Sequence, residues 1–329
     1  MVLDNKSKSY ILNPFLYIKK FKDYSILYVP YKHQIKIIKD DFFNGDEKEL
    51  IKDKILVHKD YKTNFLNFYR NNMSSPFLDL MYIITTDSCN FRCPYCFIEN
   101  NYDDEKRKNM TWEIAKKGID YFFLEAKSEN PRIVFYGGEP TLNEEVLLQS
   151  IDYIREKSKS TQISINTNGS IYSEKLAFCF KKNKVTLVIS VDGFEPIHNK
   201  TRIDSNFKGM YEVVKKNIDK YGQEGINISF SITLNKYNAP YLPVIAKWVV
   251  KEFHKVKSVG FNLPSQNVKG NSLFVDPEYC AIQLYNAFRI FRKYGIYEDR
   301  VMRRLDKIVE EKIYMKDCAG CGNQMVLLP

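Results

Sequence analysis

From Phe77 onward, short apolar strands alternate with amphipathic helices, and this rhythm limits what the chain can fold into. The candidate strands are Leu80–Thr86, Arg132–Tyr136, Gln162–Thr167, Val185–Val191, Ile226–Thr233 and Ser258–Leu263. Helical patterns lie between them. Thr111 caps a helix running to about Lys127, and Asn143 caps the next. Glu144 and Glu145 in the first turn of that second helix suit its positive N-terminal end. Ser173 opens a third helix, and Phe207–Tyr221 and Pro240–His254 supply two more. Strands that alternate with helices imply βαβ units and a parallel sheet. Six such strands suit either a partial β/α barrel or an open doubly wound sheet.

The flanking segments follow other patterns. Tyr24 to Val29 and Gln34 to Ile38 are rich in β-branched and aromatic residues. Pro30-Tyr31-Lys32-His33 between them predicts the turn of a β-hairpin. Ile51 to Val57 reads as a further extended piece or a short helix, and 71–76 as a linker. Residues 1–75 are thus expected to form a small separate module, 76–275 the αβ core, and 276–329 a helical lead-in to a Cys-containing end. Pro277–Tyr294 and Asp299–Tyr314 are the helices of that last segment.

The chain has 329 residues, 44% hydrophobic and 27% charged. That balance is ordinary for a soluble globular protein. No apolar run reaches the ~18 residues of a membrane span, and Met1 to Lys20 lacks a signal-peptide core. These features predict a cytoplasmic protein with no membrane partner. The net charge of +10 favours acidic partners. Its lysines are spread, however, as in Lys181-Lys182 and Lys215-Lys216, and no nucleic-acid-binding motif is present. No nucleic-acid partner is expected.

Seven cysteines, Cys89, Cys93, Cys96, Cys179, Cys280, Cys318 and Cys321, are an odd and clustered set. Without an export signal, metal binding is a better expectation than a disulfide framework. Cys89-Asn90-Phe91-Arg92-Cys93-Pro94-Tyr95-Cys96 places three thiols on one tight loop just after the first core strand. A structural zinc site needs a fourth ligand, and His33, His58, His198 and His254 are all far away in sequence. A 4Fe-4S cluster usually takes four cysteines, and one held by three leaves an iron open. A zinc site completed from a distance and three unrelated buried cysteines remain alternatives. Cys179 and Cys280 fall in helical patterns and read as core residues.

Three further motifs follow successive strands: Tyr136-Gly137-Gly138-Glu139-Pro140, Asn166-Thr167-Asn168-Gly169, and Ser190-Val191-Asp192-Gly193. With the cysteine array, and with Ile197-His198-Asn199-Lys200-Thr201-Arg202, they resemble the radical S-adenosylmethionine (SAM) superfamily over roughly residues 77 to 275. The resemblance implies a partial (β/α)6 barrel with a small N-terminal β-containing module. In β/α barrels the active site gathers at the C-terminal ends of the strands. All four motifs fall there, on consecutive strands.

The roles that follow from the resemblance are specific. Cys89, Cys93 and Cys96 would hold a 4Fe-4S cluster whose open iron binds the amino and carboxylate groups of SAM. Gly137 and Gly138 would let the backbone approach the methionine end. Glu139 would meet the amino group, and Arg202 the carboxylate as a two-pronged donor. Asn168, Ser190 and Asp192 are candidates for the ribose hydroxyls, with ordinary turn chemistry as their alternative. Tyr95 would pack near the adenine or cover the cluster. No residue is assigned as the final hydrogen donor.

Cys318-Ala319-Gly320-Cys321 and the residues after it are similar to the opening of a SPASM or twitch extension. Such extensions bind auxiliary iron–sulfur clusters, so Cys318 and Cys321 are weak auxiliary-cluster candidates. Two cysteines do not complete such a site, and the sequence is expected to be a fragment or to have lost the extension. The N-terminal module resembles small domains that present a sheet edge to a precursor peptide. A packing role is its alternative.

The implied function is reductive cleavage of SAM to a 5′-deoxyadenosyl radical that abstracts hydrogen from a ribosomally made peptide. An electron donor such as flavodoxin or ferredoxin is implied with it. The alternatives are a protein maturase of the anaerobic sulfatase-maturating type, a small-molecule enzyme, and a non-catalytic iron–sulfur or zinc-binding interaction protein.

Overall fold

Strand pairing decides between the two sheets that the sequence allows. In the computed structural model, which describes residues 9–29, 34–39, 47–72, 78–96, 98, 107–264, 273, 275–309 and 323–329, the core is an eight-stranded, wholly parallel sheet. The chain divides into two compact units. One comprises Met1–Ser75 with Arg303–Cys318, and the other Pro76–Met302 with Ala319–Pro329. Among the described residues, no helix is long and apolar enough to cross a membrane.

In the first unit, β1 (Tyr10–Leu12) pairs antiparallel with β5 (Leu56–His58). Strands β2 (Tyr17–Lys20), β3 (Tyr24–Val29) and β4 (Gln34–Lys39) form an antiparallel sheet. The expected hairpin is therefore present as β3 and β4, while its turn lies outside the described residues. The ambiguous Ile51–Val57 stretch divides. Helix α1 (Glu47–Lys52) ends, Lys54 takes a positive φ of 59°, and β5 begins. Helix α2 (Tyr61–Asn72) follows. Leu27, Ile38, Leu50, Ile55 and Leu56 form this unit's own small core.

The second unit's sheet contains β6 (Leu80–Thr86), β7 (Arg132–Gly137), β8 (Gln162–Thr167), β9 (Thr186–Ser190), β10 (Asn227–Thr233) and β11 (Val256–Asn262). Their order in space is their order in sequence. Every crossover therefore advances in one direction, as in a β/α barrel, whereas a doubly wound sheet reverses direction at a switch point. Strands β6 and β11 pair outward with β13 (Gln324–Leu327) and β12 (Tyr297–Glu298), so the barrel is partial.

Helices α3 (Trp112–Glu125), α4 (Glu144–Lys157), α5 (Glu174–Lys182), α7 (Tyr211–Gln223) and α8 (Leu242–Glu252) supply the crossovers, with the short α6 (Glu195–His198) before α7. Helices α9 (Pro277–Lys293) and α10 (Asp299–Val309) follow β11. Thr111 and Ser173 cap as expected, accepting from Ile114 N and Leu176 N. Asn143 occupies its cap position without a capping bond. Its Nδ2 instead donates to the carbonyls of Thr85 and Met110. Helix α7 starts at Tyr211 rather than Phe207. The Asp204 carboxylate draws the amides of Asn206 and Lys208 into a turn, which competes with helix formation there.

The sheet has two chemically different faces. Met81, Ile83, Ile133, Phe135, Ile165, Leu187, Ile189, Ile232 and Phe261 are buried in one large apolar core. Residues of the opposite parity, including Tyr82, Val134, Ser164, Asn166, Ser229, Ser231, Ser258 and Asn262, line a cavity of about 490 Å³. Bulky branched residues fill a closed barrel of this type. Here small hydroxyl and amide side chains leave space.

Candidate functional site

The four motifs meet at the C-terminal end of the parallel sheet, as their strand-end positions require. The cysteine loop leaves β6 and is pinned in its middle. Phe91, 1% exposed, bridges to Asp204, and Arg92 N donates to the Ile203 carbonyl at 2.7 Å. Cys96 N donates to the Cys93 carbonyl at 2.9 Å, which turns the loop back on itself. Cys93 is buried, and Cys89 and Cys96 are half-buried. Burial pushes the Cys93 thiol up to about 12, opposed by Arg202 and reinforced by Asp192, Cys96 and Cys89. Among the described residues, no group of three or more His, Cys, Asp or Glu side chains is already drawn together as a metal site. Cys318 and Cys321 lie outside the described residues.

The glycine turn after β7 is packed against this loop's base. Gly138 N donates to the Thr86 carbonyl and Glu139 N to the Ser88 carbonyl, each at 2.8 Å. A Cβ on Gly138 would lie 2.1 Å from the Ser88 oxygen. Gly137 has φ +136°, and a Cβ there would lie 2.4 Å from the Thr86 oxygen. The glycines thus have a reason that the sequence did not reveal, the close approach of the protein's own backbone.

Glu139 is completely buried and ties two strand ends together. Its Oε1 accepts from Thr141 N at 3.1 Å, Thr141 Oγ1 at 2.6 Å and Thr167 Oγ1 at 2.8 Å. Its Oε2 accepts from Asn168 N at 2.6 Å. Burial raises this carboxyl above its ordinary value, although the hydrogen bonds pull the other way. Asn168 in turn holds the cysteine loop. Its Nδ2 donates to Asn90 Oδ1 at 2.8 Å and lies 3.8 Å from Cys89 Sγ, and its Oδ1 accepts from Ser170 N. Asn90 Nδ2 completes the clamp by donating to Ser170 Oγ at 2.8 Å.

Asp192, also completely buried, is the second hub. Its Oδ2 accepts from the Tyr95 hydroxyl and from Thr201 Oγ1. Its Oδ1 accepts from Thr233 N at 3.1 Å and Arg202 Nη2 at 3.3 Å. Burial alone would raise its pKa, but Arg202 and the bonds from Thr201 and Tyr95 hold it below the ordinary value. The Arg202 guanidinium lies over the Tyr95 ring at 5.2 Å, with Nη1 4.0 Å from Cys93 Sγ and Nε buried without a partner. Tyr95 thus ties the cysteine loop, of which it is part, to this ion pair. Of the three ribose candidates, Asn168 and Asp192 have side chains already bonded to protein. Ser190 sits half-buried beside Ser231 in the β9–β10 register.

The sequence motifs contain Asn90, Thr167 and Thr201 without giving them a role, and they leave out Thr141, Ser170 and Thr233. Each looks locally like ordinary turn or strand chemistry, and only tertiary pairing gives it a role. His198 is another such residue. It is 0% exposed, both ring nitrogens lack partners, and Tyr211 meets it edge to face at 5.7 Å. Burial pushes its pKa from 6.5 down to about 4, against the pull of Asp192. The unfolded chain therefore binds the proton more readily than the folded one between those values. Stability from this group is full above about 6.5 and is lost as pH falls toward 4, by about 3 kcal/mol in all. Denaturant titrations across that range should show this loss, and His198→Gln should flatten it. An equal slope in the variant would assign the loss to other groups.

With this geometry in place, comparison with known proteins identifies the family. The family model described as the radical SAM superfamily matches residues 83–249, just over half of the chain. The chain belongs to the radical SAM superfamily. Among curated relatives, a Cysteine-type anaerobic sulfatase-maturating enzyme of Clostridium novyi (strain NT) is 32% identical over 180 residues, 51% of this chain and 46% of that protein. The chain thus spans about half the length of this relative. Native anSMEcpe with bound AdoMet and Kp18Cys peptide has the same fold, with TM-score 0.62 and 21% identity over 71% of this chain and 67% of that one. Streptococcus suis SuiB bound to precursor peptide SuiA aligns over 96% of this chain and 72% of that one, with TM-score 0.51 and 12% identity. A 4Fe-4S cluster and SAM are the cofactors of this superfamily.

Proposed function

We propose that this chain is a radical SAM enzyme that matures a ribosomally made peptide. The observation that carries the chemistry is the convergence of the three-cysteine loop, the glycine turn and the buried Asp192–Arg202 pair at one end of the sheet. The residues present fit the superfamily's cofactors. Three thiols share a pinned loop, and a buried cation offers Nε without a protein partner beside them. Cys89, Cys93 and Cys96 would hold the cluster, and Gly137, Gly138, Glu139, Ser190 and Arg202 would contact SAM. When bound, the cluster and SAM supply reductive cleavage to a 5′-deoxyadenosyl radical able to take hydrogen from an unreactive C–H bond.

The protein's own part is binding, orientation and shielding. Arg202 Nε is a ready donor for a carboxylate. Glu139 Oε2, with one donor from protein, has a lone pair left for an ammonium. Asn168 and Asp192 act as positioning residues that fix the cysteine loop and Arg202. Tyr95, bonded to Asp192 and packed against Arg202, would cover the cluster.

The peptide reading is supported by the cavity lined by Ser164, Asn166 and their neighbours, and by the peptides bound in structures of similar fold. The first unit could present an edge of the β2–β4 sheet to such a peptide. A second reading, maturation of a sulfatase, is favoured by the Clostridium novyi relative. An electron donor such as flavodoxin or ferredoxin would serve either one.

Anaerobically reconstituted protein, reduced with dithionite, should release 5′-deoxyadenosine from SAM slowly even without substrate. Chromatography measures it directly. None from protein with a full cluster would remove the enzymatic reading. A short-peptide gene beside this one would favour the first substrate class, and a sulfatase gene the second.

A further inference from the structure

The Asp192–Arg202 pair has a property beyond ligand binding. Arg202 is 8% exposed, and Asp192 is fully buried. The guanidinium is held from several sides. Asp192 Oδ1 lies 3.3 Å from Nη2, Thr233 Oγ1 lies 3.4 Å from the same atom, and the Tyr95 ring lies beneath it. Its Nη1 points to Cys93 Sγ at 4.0 Å. A fixed positive charge thus sits beside a cluster-ligating sulfur in a place that solvent screens poorly.

We propose that Arg202, beyond any part in holding SAM, raises the reduction potential of the cluster held by Cys89, Cys93 and Cys96, and that Asp192 limits that rise. The inference rests on the radical SAM reading of the site. Reduction of the cluster takes up one electron and adds one negative charge to it. A neighbouring cation stabilises the reduced state more than the oxidised one. Hydrogen bonds and charges near the sulfurs are among the levers that set such potentials. Asp192 carries the opposite charge and meets the guanidinium at Nη2, whereas Cys93 Sγ lies nearest Nη1, so it weakens the effect without cancelling it.

The test is a redox titration of anaerobically reconstituted protein without SAM, followed by the electron paramagnetic resonance signal of the reduced cluster. Omitting SAM separates this role from carboxylate binding. Arg202→Gln should make reduction about tenfold less favourable, a fall of about 59 mV for one electron. Arg202→Lys should stay near the parent value, and Asp192→Asn should move the other way. A pair of opposite shifts cannot come from general loosening of the fold. An unmoved potential in loaded Arg202→Gln, or equal shifts in the Gln and Lys variants, would overturn the proposal. Should Arg202→Gln fail to fold, Asp192→Asn decides alone, and no upward shift there sinks the idea. A parent protein that assembles no cluster would instead sink the reading of the site itself.

Discussion

Protein carrying Ala in place of Cys89, Cys93 and Cys96 is expected to retain its fold, lose its iron and form no 5′-deoxyadenosine. The fold should survive because what pins the loop is not sulfur. Phe91 in the core and the Arg92–Ile203 backbone bond remain. The parent should hold about four irons at this site. Cys179→Ala and Cys280→Ala provide the control. Both residues are buried in helices of the apolar core, so their loss should affect stability and leave iron unchanged. The assignment fails if the triple variant keeps the parent's iron and cluster spectrum.

Among the described glycines, Gly138 has the closest backbone neighbour for an added Cβ, and Gly138→Ala is expected to be strongly damaging. The added carbon would meet the Ser88 carbonyl oxygen at 2.1 Å, its carbon at 2.5 Å and the Asp87 oxygen at 2.8 Å. All three are backbone atoms, so no rotamer change relieves the clash. Either the turn or the base of the cysteine loop must move. The Gly138–Thr86 and Glu139–Ser88 bonds then lengthen together. Overpacking of this kind costs about 3 kcal/mol, and lost hydrogen bonds add to it. Thermal unfolding should show the loss of stability, and reconstitution should give poor iron uptake. A stable Gly138→Ala protein with a full cluster would mean that the turn tolerates a shift that the packing denies. Gly225, whose added Cβ would meet nothing within 4 Å but whose φ is +77°, is a useful contrast. Ala there should bring only backbone strain and leave the cluster intact.

Much of the core could be read from the sequence because each of its features is local. A period-two apolar strand, a Ser or Thr cap and a glycine turn announce themselves within a few residues. The sequential strand order then follows from short crossovers in one direction. What could not be read depends on partners far apart in the chain. The Asn90–Asn168–Ser170 clamp joins residues about eighty positions apart, and nothing in Asn or Ser distinguishes a clamp from a turn. Asp192 is a ribose candidate through the resemblance alone, and its bonds to Tyr95 and Thr233, far away in the chain, are what the sequence does not show. Asn143 looked like a cap, but two nearby carbonyls compete for its amide. Helix α7 loses its first turn to a carboxylate whose preference for local amides a periodicity argument does not weigh.

The apolar residues Met325, Val326 and Leu327 belong to the core sheet. Strand β13 lies parallel to β6, and Leu327 fits a notch on α3 that exists because residue 118 is glycine. A Cβ at Gly118 would lie 2.3 Å from Leu327 Cδ2. Strand β6 is the one that launches the cysteine loop, and without β13 its outer row of amides and carbonyls would face solvent. An uncovered strand edge is a template for pairing with another molecule. Strand β13 therefore covers an edge of β6 that would otherwise be open to pairing. Protein trimmed before Asn323, or carrying a bulky residue at 118, is expected to aggregate through the exposed β6 edge, an outcome easily mistaken for a failure of cluster assembly.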